Sequence, residues 1–253
     1  MDKLTIPIFC ISISAEDEEY KPEQREIIEK LYDVSKIFTV RDVHSHKVME
    51  RLLGRQVEIT PDVVTCLMDA EQINMDITSP DILATTATQC LTNEHLEWMT
   101  QLFKKLPLER IKYVPYTCHP NDIIACQKYT RKMVFELFHP SIMQMLTRKS
   151  NFVIAGRLHA AVFAANVGIP FFAINYHPKV KSFCNSIGYK HYWPKGDSYA
   201  RDEVNYGFDF KQFSYDELAK EINESIANPE VPKITNTAIR ILERLWEKIK
   251  EVK

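Results

Sequence analysis

The alternation of apolar and polar positions along the chain predicts strands that alternate with helices. Short apolar runs, rich in β-branched and aromatic residues, predict strands at residues 6–14, 36–40, 56–60, 81–86, 111–116, 152–155 and 169–174. Most of these runs are separated by stretches in which apolar residues recur every three or four positions, as they do in helices. A chain of alternating strands and helices predicts an α/β fold built on parallel sheets.

The clearest of these units runs from residue 151 to residue 179. Its first strand, at 152–155, is short and apolar, as expected of a strand buried on both faces. The helix predicted from Leu158 to Val167 is apolar except at His159 and Asn166, so it should be buried nearly all round. The segment therefore forms a βαβ unit, whose two strands should lie parallel with a right-handed crossover.

The pattern weakens between Met68 and Pro80, where polar and acidic residues predominate. The chain before this stretch reads as strand, helix, strand, helix and strand, which is half of a doubly wound unit. We therefore predict two domains of the doubly wound type, at residues 1–75 and 76–253.

Charge and composition exclude several classes of protein. Lys and Arg number 32 against 34 Asp and Glu, so no bulk positive field points to nucleic acid. No apolar run approaches the roughly 20 residues that a membrane-spanning helix needs, and the amino end has no signal-peptide pattern. The six cysteines form no Cys-x-x-Cys pair, which favours free thiols. We expect the protein in the cytoplasm or at the inner face of the membrane.

Polar side chains follow both strands of the βαβ unit. Arg157 and His159 come after the first strand, and His177 and Lys179 come after the second. Parallel strands end at the same edge of a sheet, where open α/β sheets bind ligands, and the N-terminus of a helix favours anions. Any one of these residues alone is more often a surface or capping residue. Together, the four predict a site for a small, highly charged anion.

Two further positions are candidates for this kind of site. Arg41 follows the strand at 36–40. Either Arg41 and Asp42 form a local ion pair or cap the next helix, or Arg41 serves as a second anion ligand. His119 follows the strand at 111–116, and Asp122 is expected to cap the next helix. The His and Asp residues lack a compact ligand spacing, so we predict no metal site.

The candidate residues lie in a set of short motifs: Gly-Arg-Leu-His-Ala at 156–160, Gly-Ile-Pro at 168–170 and Tyr-x-Pro-Lys-Val at 176–180. This set resembles the signature of the polysaccharide pyruvyl transferase family. An earlier segment is similar to a second motif of that family, and comprises Val40-Arg41-Asp42, Ser45, Gly54 and Pro61-Asp62. The resemblance in order and spacing extends from about Ile6 to Tyr189.

The resemblance implies a fold and an activity. The fold would be GT-B-like, with two Rossmann-like lobes, parallel sheets, a cleft between the lobes and an amino-terminal lobe that is shortened here. The activity would move the pyruvyl unit of phosphoenolpyruvate onto a sugar hydroxyl as a ketal, in the synthesis of a cell-surface polysaccharide. The acceptor would be a saccharide, either free or lipid-linked, and phosphoenolpyruvate would serve as donor substrate without a further cofactor.

The resemblance also suggests roles for the candidate residues. Arg157 and Arg41 would bind phosphate or carboxylate, and His159 would transfer protons, so that Arg157 and His159 form the catalytic pair. The remaining candidates would be donor ligands: Lys179, His177 and His119.

Two alternatives stay open at this point. A glycosyltransferase of the same two-lobed architecture would bind a nucleoside diphosphate at the same sheet edge. A remnant of the fold without activity would also fit, because the amino-terminal lobe is short. Such a lobe would leave sheet edges that a second copy of the chain could cover in a homo-oligomer.

Overall fold

Parallel strands alternate with helices through both parts of the chain in the computed structural model. It describes residues 6–15, 19–62, 81–85, 93–114, 140–175, 177–195, 213–233 and 236–252. The chain divides into two compact units, Met1–Leu67 with Thr235–Lys253, and Met68–Ile234. The α/β class and the parallel sheets of Rossmann-like lobes are confirmed. The predicted boundary between residues 75 and 76 lies outside the described residues and stays a prediction, as does the cleft.

The first unit is built on a sheet in the order β1-β2-β3, with all pairs parallel. Its first elements in chain order are β1 (Ile8–Ile13), α1 (Pro22–Val34), β2 (Ser35–Val40), α2 (Val43–Leu53) and β3 (Glu58–Ile59). The core under this sheet is small and includes Val40, Val48, Met49 and Val57. Gly54 ends α2 in the left-handed conformation, as its position after the apolar stripe predicts.

Only one side of the apolar stripe of α1 packs against the core of the first unit. Ile28 and Tyr32 pack against the core, whereas Ile27 is 58% exposed and Leu31 is 38% exposed. Consecutive residues of a helix point about 100° apart, so a narrow sheet cannot cover both sides of this stripe.

The second unit contains a sheet in the order β5-β4-β6-β7-β8, with every pair parallel. Its strands are β4 (Ile82–Thr85), β5 (Ile111–Tyr113), β6 (Phe152–Ala155), β7 (Phe171–Ile174) and β8 (Tyr192–Trp193). Its helices are α3 (Asn93–Lys104), α4 (Pro140–Arg148), α5 (Leu158–Asn166), α6 (Pro178–Ser186) and α7 (Tyr215–Ala227).

Both faces of this sheet are covered, which explains why its strands are continuously apolar. On one face, Ile82, Ile154 and Phe172 pack with residues of α3 and α7. On the other face, α5 packs against β6, β7 and α4. Every residue of α5 is buried except His159, as the sequence predicts.

Two elements of the second unit differ from the sequence-based expectation. No strand was predicted after residue 174, but Tyr192 and Trp193 form β8, which pairs with Ala173 and Ile174. A strand of two residues is too short to show the period of an alternating pattern. Helix α6, at Pro178–Ser186, was not expected either.

Helix α8 (Asn236–Glu251) belongs to the first unit, although the second unit precedes it in the sequence. Lys248 of this helix lies 3.9 Å from Glu58 of β3. In the part of the chain that the structure describes, no helix has the length and apolar character needed to cross a membrane.

Candidate active site

The order of the strands places the two predicted anion-binding segments side by side. Strands β6 and β7 pair in parallel, with Ala155 opposite Ala173, and each ends at the same edge of the sheet. Adjacent strands lie about 4.8 Å apart. The segment with Arg157 and His159 therefore leaves the sheet beside the segment with His177 and Lys179.

The turn between β6 and α5 is fixed by a residue of the neighbouring strand β4. The hydroxyl oxygen of Thr85 accepts hydrogen bonds from the backbone N–H of Gly156 at 3.0 Å and of Arg157 at 3.2 Å. The carbonyl oxygen of Thr85 also accepts from Gly156 N–H, at 3.1 Å. Thr85 is only 1% exposed, so these bonds are shielded from water.

Arg157 is the N-cap residue of α5, and its side chain does not cap the helix. Its backbone is extended and its carbonyl accepts from Ala160 N–H at 3.1 Å. The residue is 8% exposed, which is low for an arginine. A guanidinium keeps its positive charge, so its burial at the N-terminus of a helix creates a region that favours anionic or acceptor groups.

His159, unlike Arg157, is exposed to solvent. It lies two residues after Arg157, in the first turn of α5, and it is the one exposed residue of that helix. An exposed imidazole can exchange protons with a bound molecule or with water, which a buried one cannot do readily.

His177 and Lys179 are joined to each other by a helix cap. His177 is the N-cap of α6, and its Nδ1 accepts a hydrogen bond from the backbone N–H of Lys179 at 3.3 Å. This bond requires an unprotonated Nδ1, so the neutral ring carries its proton on Nε2. Capping by His177 is a role that the sequence pattern did not suggest, and it directs Nε2 away from the cap.

Asn175 joins the ends of β7 and β8 just before this segment. Its backbone N–H donates to the carbonyl of Trp193, and its side-chain Nδ2 donates to the carbonyl of Pro194, each at 2.7 Å. Asn175 is fully buried. Sequence reasoning overlooked both Asn175 and Thr85, although a polar residue at the end of an apolar strand is the signal they share.

Arg41 belongs to the first unit and has two carboxylate neighbours. Its Nε lies 3.3 Å from Asp42 Oδ2, its Nη1 lies 3.3 Å from Asp62 Oδ2, and its Nη2 donates to Ser14 Oγ at 2.9 Å. Asp42 also caps α2 by accepting from Ser45 N–H at 2.8 Å. The local ion pair with Asp42 is therefore present. Anion binding by Arg41 stays a prediction.

Hydroxyl groups join the ends of the three strands in the first unit. Ser12, which has a positive φ of 55°, donates its backbone N–H to Thr39 Oγ1 at 3.0 Å. Its own hydroxyl donates to the carbonyl of Pro61 at 2.6 Å, and Thr39 Oγ1 lies 2.7 Å from Thr60 Oγ1. A positive φ is costly for serine, and these bonds hold it in place. They fix the edge from which Arg41 emerges.

Some predicted features lie outside the described residues, namely His119 and Asp122. Among the residues that are described, no three His, Cys, Asp or Glu side chains lie together as a metal site would require. The expectation that no metal takes part stays a prediction.

Comparison with known proteins adds a family assignment. The family model of the polysaccharide pyruvyl transferases matches residues 2–178, well over half of the 253 residues. The match includes Arg41, Arg157, His159 and His177, and it ends one residue before Lys179. No curated protein matched the chain.

Proposed function

Because the chain belongs to the polysaccharide pyruvyl transferase family, we propose that it transfers the pyruvyl unit of phosphoenolpyruvate to a sugar as a ketal, in the synthesis of a cell-surface polysaccharide. The observation that best supports this proposal is the buried Arg157 at the N-terminus of α5, with the exposed His159 two residues later. A fixed positive charge at a helix N-terminus favours a small anion, and phosphoenolpyruvate carries two anionic groups close together.

The reaction sets the chemical demands on the site. The bond between carbon 2 of phosphoenolpyruvate and its phosphate oxygen breaks, and two bonds form between that carbon and two hydroxyl oxygens of the sugar. The two hydroxyls lose two protons in total. The equivalent of one proton converts the methylene of the donor to a methyl group, and the other leaves with inorganic phosphate. The site therefore needs a cation for the departing phosphate and a group that moves protons.

The side chains at the edge of the second unit's sheet can meet these demands. In this proposal Arg157 binds the phosphate or the carboxylate through its planar fork, which matches two oxygens at once. His159 moves protons, because an imidazole ordinarily titrates near neutral pH. Lys179 and His177 are further donor ligands, and His177 offers its Nε2 because its Nδ1 caps α6.

Fewer observations support the roles proposed for Arg41 and His119 than support the role of Arg157. Arg41 already has Asp42 and Asp62 as neighbours, so two negative charges oppose its one positive charge. An anion at Arg41 would have to compete with these two carboxylates for its positive charge. For His119, the proposal rests on its place after β5 in the sequence.

Titration calorimetry with phosphoenolpyruvate tests the proposal. We expect saturable binding that is weakened about tenfold or more in Arg157→Ala, the usual cost of losing a hydrogen bond to a charged group. Arg157→Lys keeps the positive charge but loses the planar fork of the guanidinium, so its affinity for phosphoenolpyruvate should lie between those of the wild type and Arg157→Ala. His159→Ala should bind the donor within about threefold of the wild type and lose turnover, because it moves protons rather than holding the anion.

Arg148→Ala is the matched control. Arg148 is an exposed arginine at the end of α4, before β6, so it lies at the opposite edge of the sheet from Arg157. Its removal should leave donor binding unchanged. Binding of a nucleoside diphosphate without binding of phosphoenolpyruvate would favour the glycosyltransferase alternative. A folded protein that binds neither ligand would leave the inactive remnant as the better description.

A further inference from the structure

One buried hydroxyl group controls the turn that carries Arg157. We infer that Thr85 is a positioning residue, which sets the affinity of the site for its anionic donor through the backbone at Gly156 and Arg157. This inference rests on the proposed function, since it concerns the same site, but it assigns the work to a residue that does not touch the substrate.

The geometry singles out Thr85 among the residues around the turn. It is the last residue of β4, in the interior of the sheet between β5 and β6. Its pairing partner in β6 is Ala155, the last residue before the turn. Its hydroxyl oxygen accepts from both of the next two backbone N–H groups, those of Gly156 and Arg157.

These two N–H groups need an acceptor that the sheet only partly supplies. Pairing of β4 with β6 ends at Thr85 and Ala155, and the carbonyl of Thr85 reaches Gly156 but takes no bond from Arg157. Buried N–H groups without acceptors are strongly disfavoured. Loss of the hydroxyl would remove one acceptor from both N–H groups and so weaken the attachment of the turn to β4.

A shift of this turn would move the anion site as a whole. Arg157 is the N-cap of α5, so its backbone sets both the base of its guanidinium and the first turn of the helix with His159. The first-turn N–H groups and the side chain of Arg157 are the groups that favour an anion. Their common displacement weakens donor binding before it affects any bond-making step.

The side chain of threonine suits this task. A β-branched residue has few allowed χ1 rotamers in a strand, so its hydroxyl points in a defined direction. Valine has nearly the same shape and the same preference for strands, but it has no oxygen. The pair of substitutions Thr85→Val and Thr85→Ser therefore separates the hydroxyl from the shape of the side chain.

The first test compares donor affinity in these variants by titration with phosphoenolpyruvate. We expect Thr85→Val to weaken binding about tenfold and Thr85→Ser to stay within about twofold of the wild type, because serine restores the acceptor. Turnover at saturating donor should change less than the KM. Equal affinity of Thr85→Val and wild type would overturn the inference, and so would a Thr85→Ser as weak as Thr85→Val.

Thr147→Val is the matched control for lost stability. Thr147 is fully buried in α4, and its hydroxyl donates to the carbonyl of Met143 at 2.8 Å, one turn earlier in the same helix. This variant should lose stability and keep its affinity for phosphoenolpyruvate. If it loses affinity to the same degree as Thr85→Val, the effect is general destabilisation and the inference is wrong.

Amide hydrogen exchange supplies a readout that needs no ligand. Exchange at Gly156 and Arg157 should speed up at least tenfold in Thr85→Val and remain slow in Thr85→Ser. Unchanged exchange at Gly156 and Arg157 in Thr85→Val would contradict the inference, whatever the affinity for phosphoenolpyruvate. A third outcome is that exchange speeds up in Thr85→Val but the wild-type protein does not bind phosphoenolpyruvate. That result would support the structural role of Thr85 and contradict the proposed function. Thr85→Ala replaces the valine variant in both tests if valine prevents folding.

Discussion

Cys184 shows how strongly burial can suppress the chemistry of a single side chain. It lies fully buried in α6, and the loss of solvation raises the pKa of its thiol to about 12. Only the thiolate reacts with alkylating agents, so at about pH 8 roughly one molecule in ten thousand carries the reactive form.

We expect Cys184 to resist N-ethylmaleimide in the folded protein and to react once the protein is unfolded in urea. Peptide mapping by mass spectrometry measures the label at this position. Between about pH 8 and pH 10 the slow rate should rise about tenfold per pH unit, since the thiolate fraction grows in that proportion. Rapid labelling of the folded protein near pH 8 would show that the thiol is accessible.

The two arginines at strand ends illustrate what sequence position leaves open at the scale of a residue. Arg41 and Arg157 each follow a parallel strand closely, and the sequence pattern treats them alike. Asp42 is adjacent in sequence to Arg41, so its ion pair could be foreseen. Asp62 is 21 positions away, and its contact with Arg41 depends on the path of the chain after β3. The different surroundings of the two arginines arise from tertiary structure.

At the scale of an element, the end of α2 allows a clean measurement of backbone strain. Gly54 has a φ of +62°, and a Cβ added there would meet no heavy atom within 4 Å. Its N–H donates to the carbonyl of Glu50 at 2.8 Å. A side chain at this position is thus penalised by its own backbone conformation and by nothing else.

Gly54→Ala should therefore lower the free energy of unfolding by about 1 kcal/mol, the usual cost of a left-handed residue with a Cβ. Urea denaturation followed by circular dichroism measures the loss. Gly54→Asn should lose less, because asparagine tolerates this conformation better. An alanine variant as stable as the wild type would mean that α2 can end in another way.

The elements that the sequence predicted well share clear boundaries. Strand β6 was predicted with its observed ends, and α5 was predicted to within one residue, because Gly156 and Gly168 enclose the helix and both segments are nearly all apolar. Helix α6 was missed although Pro178 stands at its first position, because its cap is a histidine, which is an uncommon cap. Thr85 and Asn175 each show a signal in the sequence, a polar residue at the end of an apolar strand, but their hydrogen-bond partners depend on the order of the strands in the sheet.

At the scale of the whole molecule, we expect one carboxylate at the opposite edge of the second sheet to contribute to stability in acid. Asp81 precedes β4 and accepts hydrogen bonds from Arg110 Nε at 2.5 Å and from Asn151 Nδ2 at 3.0 Å. It thereby joins the starts of β4, β5 and β6. The hydrogen bond from Arg110 above all, and then that from Asn151, lowers the pKa of Asp81 below its ordinary value of 3.8.

A lowered pKa gives this carboxylate a defined effect on stability. Its contribution is fully present above the ordinary pKa and is lost as the pH falls through the lowered value. Asp81→Asn should be less stable than the wild type near pH 7, and the difference should shrink as the pH falls below 3.8. Urea midpoints at several pH values measure the gap. A gap that stays constant down to pH 2 would show that ionisation of Asp81 does not contribute.

The place of α8 in the first unit has a consequence for the order of synthesis. A ribosome completes all of Met68–Ile234 before it makes Thr235–Lys253, which the first unit also contains. All residues of the second unit are therefore made before the first unit has α8. In the interval, surface of the first unit that α8 later covers is open to chaperones and proteases. A released chain truncated after residue 234, which keeps every residue of the second unit and lacks α8, should thus be cleaved preferentially within residues 1–67 in limited proteolysis.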